Sequence, residues 1–78
     1  MAMHAFVEKR FIGDSLYYFR ETVWRAGERV VVQVSVSRNG VEFKTQSMNV
    51  HQSDEVVTLS RMVDELVTQI EVFDKMGV

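Results

Sequence analysis

The residue types of a hydrolytic site occur together at one place in the chain, in the segment His51-Gln52-Ser53-Asp54. A serine, a histidine and an aspartate can act as nucleophile, base and orienting acid when a fold brings them to a common point. Four consecutive residues cannot adopt that geometry, whereas serine or aspartate before an apolar periodic segment is typical of a helix N-terminus. The segment therefore predicts a helix cap, with Ser53 or Asp54 as the N-cap residue, and not a catalytic triad.

The sequence shows no residue pattern that is typical of a metal site or of a phosphate-binding loop. The two histidines, His4 and His51, are far apart in the sequence, and no ligand spacing supports a metal site. Adjacent acids such as Asp64 and Glu65 point in different directions on a helix. The chain has no cysteine and no glycine-rich phosphate loop. We therefore expect a protein that is not an enzyme and that uses no cofactor.

Length and composition set the class of protein. A chain of 78 residues, 46% of them hydrophobic, predicts one folded domain over residues 1–78 whose core is small. Small domains often add disulfides, metals or oligomerisation, and without cysteine we expect oligomerisation. The sequence has no run of about 18 apolar residues and no signal-peptide pattern, so a cytoplasmic protein without a membrane span is expected. Residues 1–52 are mildly basic and residues 53–78 are acidic.

Four segments have the pattern of β-strands, and the clearest lies within 30–50. The valines at even positions from 30 to 36 alternate with other residues, which indicates a strand with one buried face. Asn39-Gly40 then supplies the residues that most readily take the positive φ angles of a type I′ hairpin turn. The sequence predicts strands at about 5–12, 16–25, 29–37 and 41–50, which form an antiparallel meander. A second tight turn is predicted at Ala26-Gly27.

The first turn decides which side chains of the first strand face the core. A three-residue loop at 13–15 puts Phe11 opposite Tyr17 and turns Glu8 and Arg10 away from the apolar face. A two-residue loop would put these two charged residues on the apolar face, so we predict the longer loop.

A single helix is predicted at about 54–76, with Gly77 as a C-cap. Its apolar residues recur at spacings of three and four, which is typical of an amphipathic helix. The stripe consists of Val56, Leu59, Met62, Val63, Leu66, Val67, Ile70 and Phe73. The simplest way to bury this stripe is to lay it across the valine face of the sheet, which gives an α+β fold of order ββββα.

The face of the sheet away from the helix is predicted to interleave arginines with aromatic side chains. This combination forms the hot spots of protein interfaces, and it also forms the stacking platforms that bind single-stranded nucleic acid. Arginine stems lying over scattered aromatics on a solvated face are a third interpretation. The residues assigned to this partner-binding surface are Phe6, Arg10, Tyr18, Arg20, Trp24, Arg29 and Lys44.

Two functional hypotheses follow. The first is a small protein-interaction module that acts as a homodimer. It would bind a protein partner through the sheet surface, or through helix acids that mimic nucleic-acid charge, namely Asp64, Glu65 and Glu71. The second is single-stranded nucleic-acid binding on the same sheet face, which the net charge of −2 disfavours. Neither hypothesis involves a membrane or a small-molecule substrate.

A strand meander followed by one C-terminal helix resembles, in outline, the single-stranded-DNA-binding coactivator family. The resemblance implies a sheet that binds DNA and a helix that forms a dimer, and it assigns no residue of this chain. Small acidic α+β chains without cysteine are also common among phage-encoded accessory and inhibitor proteins. That class is an expectation from length and composition alone.

Overall fold

The structure, a computed structural model, describes residues 2–76, apart from the side chains of Ala2 and Phe43. It confirms the α+β fold class, with a four-stranded antiparallel meander in the order β1-β2-β3-β4 and one C-terminal helix. In the described residues no helix is long and apolar enough to cross a membrane. The elements are β1 (Ala2–Ile12), β2 (Ser15–Ala26), β3 (Arg29–Arg38), β4 (Val41–His51), a 3-10 turn (Gln52–Asp54) and α1 (Glu55–Lys75).

Each pair of neighbouring strands is joined by a two-residue turn. Asn39 and Gly40 have φ angles of 54° and 78°, which is the type I′ geometry that their sequence predicts. The turn between β2 and β3 is Gly27-Glu28, one residue later than predicted. Because this shift moves the pairing by two positions, it leaves every side chain on its predicted face.

The turn between β1 and β2 contradicts the predicted three-residue loop. Phe11 lies opposite Leu16 and Ile12 lies opposite Ser15, so only Gly13 and Asp14 remain in the turn. Gly13 has a φ of 60°, as the first position of a type II′ turn requires. Side chains alternate along a strand, and this slip of one residue therefore exchanges the two faces of β1.

The longer loop was predicted on the assumption that the helix side of the sheet is buried across all four strands. Glu8 and Arg10 do lie on that side, but β1 is an edge strand, and 41% and 39% of their side-chain surfaces stay exposed. The two residues also pair, with Arg10 Nε donating to Glu8 Oε1 over 2.8 Å. Charged residues are tolerated there because the helix does not cover them fully.

A β-bulge changes the face of most of β4. The register shifts between Val36 and Ser37, so Val36 lies opposite Lys44 and not opposite Phe43 as predicted. One extra residue in β4 turns every later side chain of the strand over. Lys44 and Met48 consequently lie on the helix side of the sheet.

Helix α1 packs most closely on β3, the core includes side chains of β2, and the two edge strands stay partly exposed. Of the described side chains, β1 contributes only Ile12 to the buried core and β4 contributes none. Val56 and Phe73, the two ends of the predicted helix stripe, are largely exposed. The core consists of Ile12, Tyr17, Phe19, Val23, Val30, Val32, Val34, Val36, Met62, Val63, Leu66 and Ile70.

Both ends of α1 contact the sheet. At its start, Arg25 Nε and Nη2 donate to the Glu55 carboxylate over 2.9 and 2.7 Å, a charge-assisted pair with two bonds. Near its end, a Cβ added to Gly13 would lie 2.7 Å from Asp74 Oδ2, so the first turn packs tightly on the helix. The predicted C-cap at Gly77 lies outside the described residues.

Candidate interaction surface

The face of the sheet opposite α1 is called the outer face here. It carries the odd-numbered side chains of β1 and β3 and the even-numbered side chains of β2. On β4 it carries Thr45, Ser47 and Asn49 because of the bulge. Within residues 2–76, no helix or strand packs on this face.

Four of the seven residues predicted for the partner-binding surface lie on the outer face, namely Tyr18, Arg20, Trp24 and Arg29. The Lys9 ammonium lies 5.8 Å from the centre of the Tyr18 ring, within the range of a cation–π contact. Arg29 Nε donates to Asn49 Oδ1 over 3.0 Å. The structure therefore brings together the β2 part of the predicted surface, with Lys9 as an additional cation.

The assignment of Phe6, Arg10 and Lys44 to the same face was wrong. Phe6 lies opposite Glu21 on the helix side, where 57% of it is exposed. Lys44 Nζ donates to Gln69 Oε1 on α1. The first turn explains the misplacement of Phe6 and Arg10, and the bulge explains that of Lys44. A partner-binding role for these three residues stays a prediction.

Sequence reasoning missed three apolar residues of β1 that lie on the outer face. Met3, Val7 and Phe11 are 60%, 61% and 75% exposed. The predicted register had turned them toward the helix. Gly13-Asp14 between two apolar segments is itself a pair typical of a two-residue hairpin turn. That signal, given more weight than the charges of β1, would have placed them correctly.

The two halves of the outer face differ in polarity. On the β1–β2 half, Leu16, Tyr18 and Trp24 are half-buried beside the exposed residues of β1. The β3–β4 half carries Val31 and otherwise polar residues, namely Gln33, Ser35, Ser37, Thr45, Ser47 and Asn49. An apolar surface of this kind on one half of a face is typical of an interaction site.

Charge is separated between the two sides of the molecule. The described strands place Lys9, Arg20 and Arg29 on the outer face, with Glu42 as the acidic residue there. Thr45 Oγ1 donates to Glu42 Oε1 over 2.6 Å at the far edge of the sheet. The outer face is therefore cationic in a protein whose net charge is −2.

The three helix acids predicted to mimic nucleic-acid charge are all exposed. Asp64 and Glu71 are seven residues apart and so lie on nearly the same side of α1, whereas Glu65 lies about 100° around the helix from Asp64. Asp64 borders a cleft beside β1 that also contains Arg10. These acids do not form one continuous row.

The cleft between α1 and β1 has a volume of about 270 Å³ and contains Glu8, Arg10 and Glu21. Burial raises the pKa of Glu21 above its ordinary value, Glu8 raises it further, and Arg10 lowers it. The fold therefore makes Glu21 less easily ionised than it is in the unfolded chain. In the described part of the chain, no group of three or more histidine, aspartate or glutamate side chains could hold a metal ion.

The segment 51–54 forms a cap, as its sequence predicts. The backbone N–H of Ser53 donates to His51 Nδ1 over 3.2 Å, and Ser53 Oγ lies 2.9 Å from the same nitrogen. Asp54 is the N-cap residue of α1, although its side chain makes no capping hydrogen bond. The His51 side chain therefore accepts a backbone hydrogen bond at the start of the 3-10 turn.

Comparisons of the chain with known protein families, with curated proteins and with solved structures find no match.

Proposed function

We propose that this protein is a small non-enzymatic interaction module that binds a protein partner through its outer face and acts as a homodimer. The observation that supports it is the uncovered row of Tyr18, Arg20 and Trp24 on β2. Trp24 lies between Met3 of β1 and Val31 of β3, so apolar surface surrounds it.

The chemistry of this row favours a macromolecular partner. Tyrosine, tryptophan and arginine are the residues that contribute most to protein interfaces, because they combine large apolar area with a polar group. Tyr18 and Trp24 are six residues apart on one strand, which corresponds to about 20 Å. A surface of that length suits a flat protein interface better than a small ligand.

Paired substitutions on the outer face test this proposal. Trp24→Ala and Arg20→Glu are each expected to weaken capture of the cellular partner at least about tenfold, as loss of a hot spot does. Gln33→Ala, on the polar half of the same face, and Lys44→Glu, on the helix side, serve as controls. The measurements are affinity pull-down and the in-cell phenotype. Unchanged capture by both outer-face variants would contradict the proposal.

An accessory or inhibitor role that works through the helix acids is a less supported form of this proposal. Glu65 lies away from Asp64 and Glu71 around the helix. Asp64 lines the same cleft as Arg10. A mimic of nucleic-acid charge needs a regular row of exposed anions, and this arrangement offers at most one aligned pair.

Single-stranded nucleic-acid binding is the second candidate function, because the outer face combines aromatic rings with three cations. Bases would stack on Trp24 or Tyr18 while phosphates contact Arg20 and its neighbours. An oligothymidine is then expected to quench the fluorescence of Trp24, the single tryptophan, and added salt should weaken this effect. Arg20→Ala should reduce the quenching, whereas Lys44→Ala on the other side should not. No quenching at low salt would exclude this function.

A further inference from the structure

The strand β1 presents an open backbone edge. The two-residue turn places a hydrogen bond between the Ile12 carbonyl and the Ser15 N–H. Bonded and non-bonded pairs alternate along an antiparallel ladder, so even-numbered residues of β1 bond to β2 and odd-numbered residues point their backbone groups outward. The pairing runs without a bulge from Ala2 to Ile12. A long regular edge of this kind is a template for another strand.

The side chains of the same odd-numbered residues form a symmetric apolar pattern. Met3 and Phe11 are each four residues from Val7, and all three are exposed on the outer face. If a second β1 lay antiparallel to the first with Val7 opposite Val7, Met3 of each copy would face Phe11 of the other. The pattern therefore complements itself about a two-fold axis.

We propose that a second copy of this chain pairs with β1, antiparallel and centred on Val7, to form a continuous eight-stranded sheet. This inference rests on the proposed interaction function and deepens it by naming the surface through which the chain binds itself. Residues 3–11 of the two copies would form five bonded pairs, which corresponds to about ten backbone hydrogen bonds.

Apolar matching of Met3 with Phe11 and the placement of charge together favour this register over others. A pairing centred on Lys9 would place two ammonium groups directly opposite each other, which is unfavourable. Among the described residues, a pairing centred on Ala5 would bring only positions 2–8 of the two strands opposite each other and would leave Phe11 outside that overlap. In the pairing centred on Val7, Lys9 faces Ala5 of the second copy. The two Glu8 carboxylates come near each other, but each already has Arg10 of its own chain 2.8 Å away.

The helix side of β1 leaves room for the second copy. Helix α1 packs mainly on β3 and contacts β1 less extensively, and Phe6 on the helix side of β1 is 57% exposed. The exposed parts of Phe6 and Phe11 alone amount to roughly 200–330 Å² per copy, taking about 150–250 Å² for an aromatic side chain. With Met3, Val7 and the backbone added, the buried area comes within reach of the roughly 1,000 Å² of a small stable interface.

Dimerisation would also double the row on β2. The two copies of β2 would lie three strand spacings apart, about 14 Å, on the same outer face. A partner that contacts both rows of Tyr18, Arg20 and Trp24 would then bind the dimer more tightly than the monomer.

The test is sedimentation equilibrium or light scattering over a range of concentrations. The wild-type chain should change from its monomer mass of 9.0 kDa to twice that value. Ala5→Pro removes a backbone N–H that points toward the second copy and leaves the apolar side chains of β1 in place. Val7→Lys places two positive charges at the two-fold axis of the dimer. Each is expected to weaken dimerisation at least tenfold. Ala5→Val and Ser47→Lys are the matched controls that should still dimerise, and circular dichroism checks that all four variants fold.

The possible results distinguish β1 pairing from other ways in which two copies could associate. A wild-type monomer at every concentration would overturn the inference. A dimer sensitive to Val7→Lys but not to Ala5→Pro would show that outer faces stack on each other, and a dimer insensitive to both would indicate contact through α1. A monomer that still captures a partner through Trp24 would overturn this inference while the proposed function survives.

Amide hydrogen exchange gives an independent readout. The amides of Ala5, Val7 and Lys9 should exchange slowly only at concentrations where the dimer forms. The even-numbered amides of β1 should be protected in the monomer as well, because they bond to β2. Equal protection of odd and even amides in dilute solution, or no concentration dependence, would contradict the β1 pairing.

Discussion

Within residues 2–76, the two edge strands β1 and β4 each have 11 residues and each pair with one other strand. Their outer faces differ. β1 places Met3, Val7 and Phe11 there, whereas β4 places Thr45, Ser47 and Asn49 there. On the outer face, the β1 edge is therefore apolar, whereas the β4 edge carries hydroxyl and amide side chains.

The backbones of the two edges differ as well. β4 contains the bulge opposite Val36 and Ser37, which increases local twist and interrupts regular pairing. Lys44 extends from β4 to Gln69 on α1. Bulges and charged side chains are the features by which natural sheets prevent edge-to-edge association. β4 still exposes Val41 and Met48, but on an irregular strand.

The contrast indicates that a further strand could pair with the β1 edge of the sheet more readily than with the β4 edge. Large exposed apolar side chains on a regular edge strand are typical of a site of association. Three measurements test this contrast, in order of decreasing effect.

The largest effect concerns the core. Leu66 is fully buried between α1 and the sheet, so Leu66→Ala is expected to lower the free energy of unfolding by about 2–5 kcal/mol. Phe11→Ala should change it by no more than about 0.5 kcal/mol in dilute solution, because Phe11 is largely exposed in the monomer. Urea unfolding monitored by circular dichroism measures both. Equal losses would mean that Phe11 is buried in the monomer and that the outer side of β1 is not a free surface.

An intermediate effect concerns the register of the second copy. Ala5 faces Lys9 of the other chain in the proposed pairing, so Ala5→Glu adds two opposite-charge pairs per dimer. At about 0.2–1 kcal/mol for each pair, the dissociation constant should fall about two- to thirtyfold. Ala5→Lys should raise it by a similar factor.

The matched substitutions for this test are Ser47→Glu and Ser47→Lys, at the edge of β4. Neither should alter the dissociation constant measured by sedimentation. A response to charge at Ser47 equal to that at Ala5 would remove the distinction between the two edges.

The smallest expected effect is on the pH dependence of stability and concerns Glu21, which lies on the helix side of β2 in the cleft between α1 and β1. Its folded-state pKa is raised above the ordinary value of 4.5 by burial and by Glu8. The folded protein therefore holds this proton more tightly than the unfolded chain does. The resulting stabilisation is present below the unfolded pKa and is lost as the pH rises through the folded pKa.

Glu21→Gln removes that loss. The variant should melt like the wild type in acid below the unfolded pKa and slightly higher at pH 7. Differential scanning fluorimetry across this pH range measures the difference between the two proteins. A difference that is constant with pH, or that reverses sign, would show that the neutral carboxyl is not the favoured form.

Much of the fold could be predicted from sequence because its signals are local. The even-numbered valines of β3, the Asn39-Gly40 turn and the helix periodicity depend only on neighbouring residues, and the structure confirms all three. Strands β2, β3 and β4 and helix α1 begin and end within about one residue of prediction, and β1 begins three residues earlier. These elements suffice to define a meander with one helix.

The faces of the edge strands could not be predicted in the same way. Both sides of β1 carry apolar and charged residues, so alternation alone does not tell which side meets the helix. The position of α1 over the central strands, a tertiary feature, is what makes Glu8 and Arg10 acceptable on the helix side. The bulge in β4 has no residue signature in its segment. Three of the seven predicted surface residues were misplaced for these two reasons.

The two-residue turns also bear on how fast the chain folds. Each of the first three strands pairs with the next one in sequence, and closing such short loops costs little entropy. The sheet can therefore form from local contacts, whereas α1 must return across strands that are distant in sequence. A sheet that formed before the helix docked would expose the valines of β3 to other chains. The rate of helix docking, more than the rate of strand pairing, should then limit the protein concentration at which refolding succeeds.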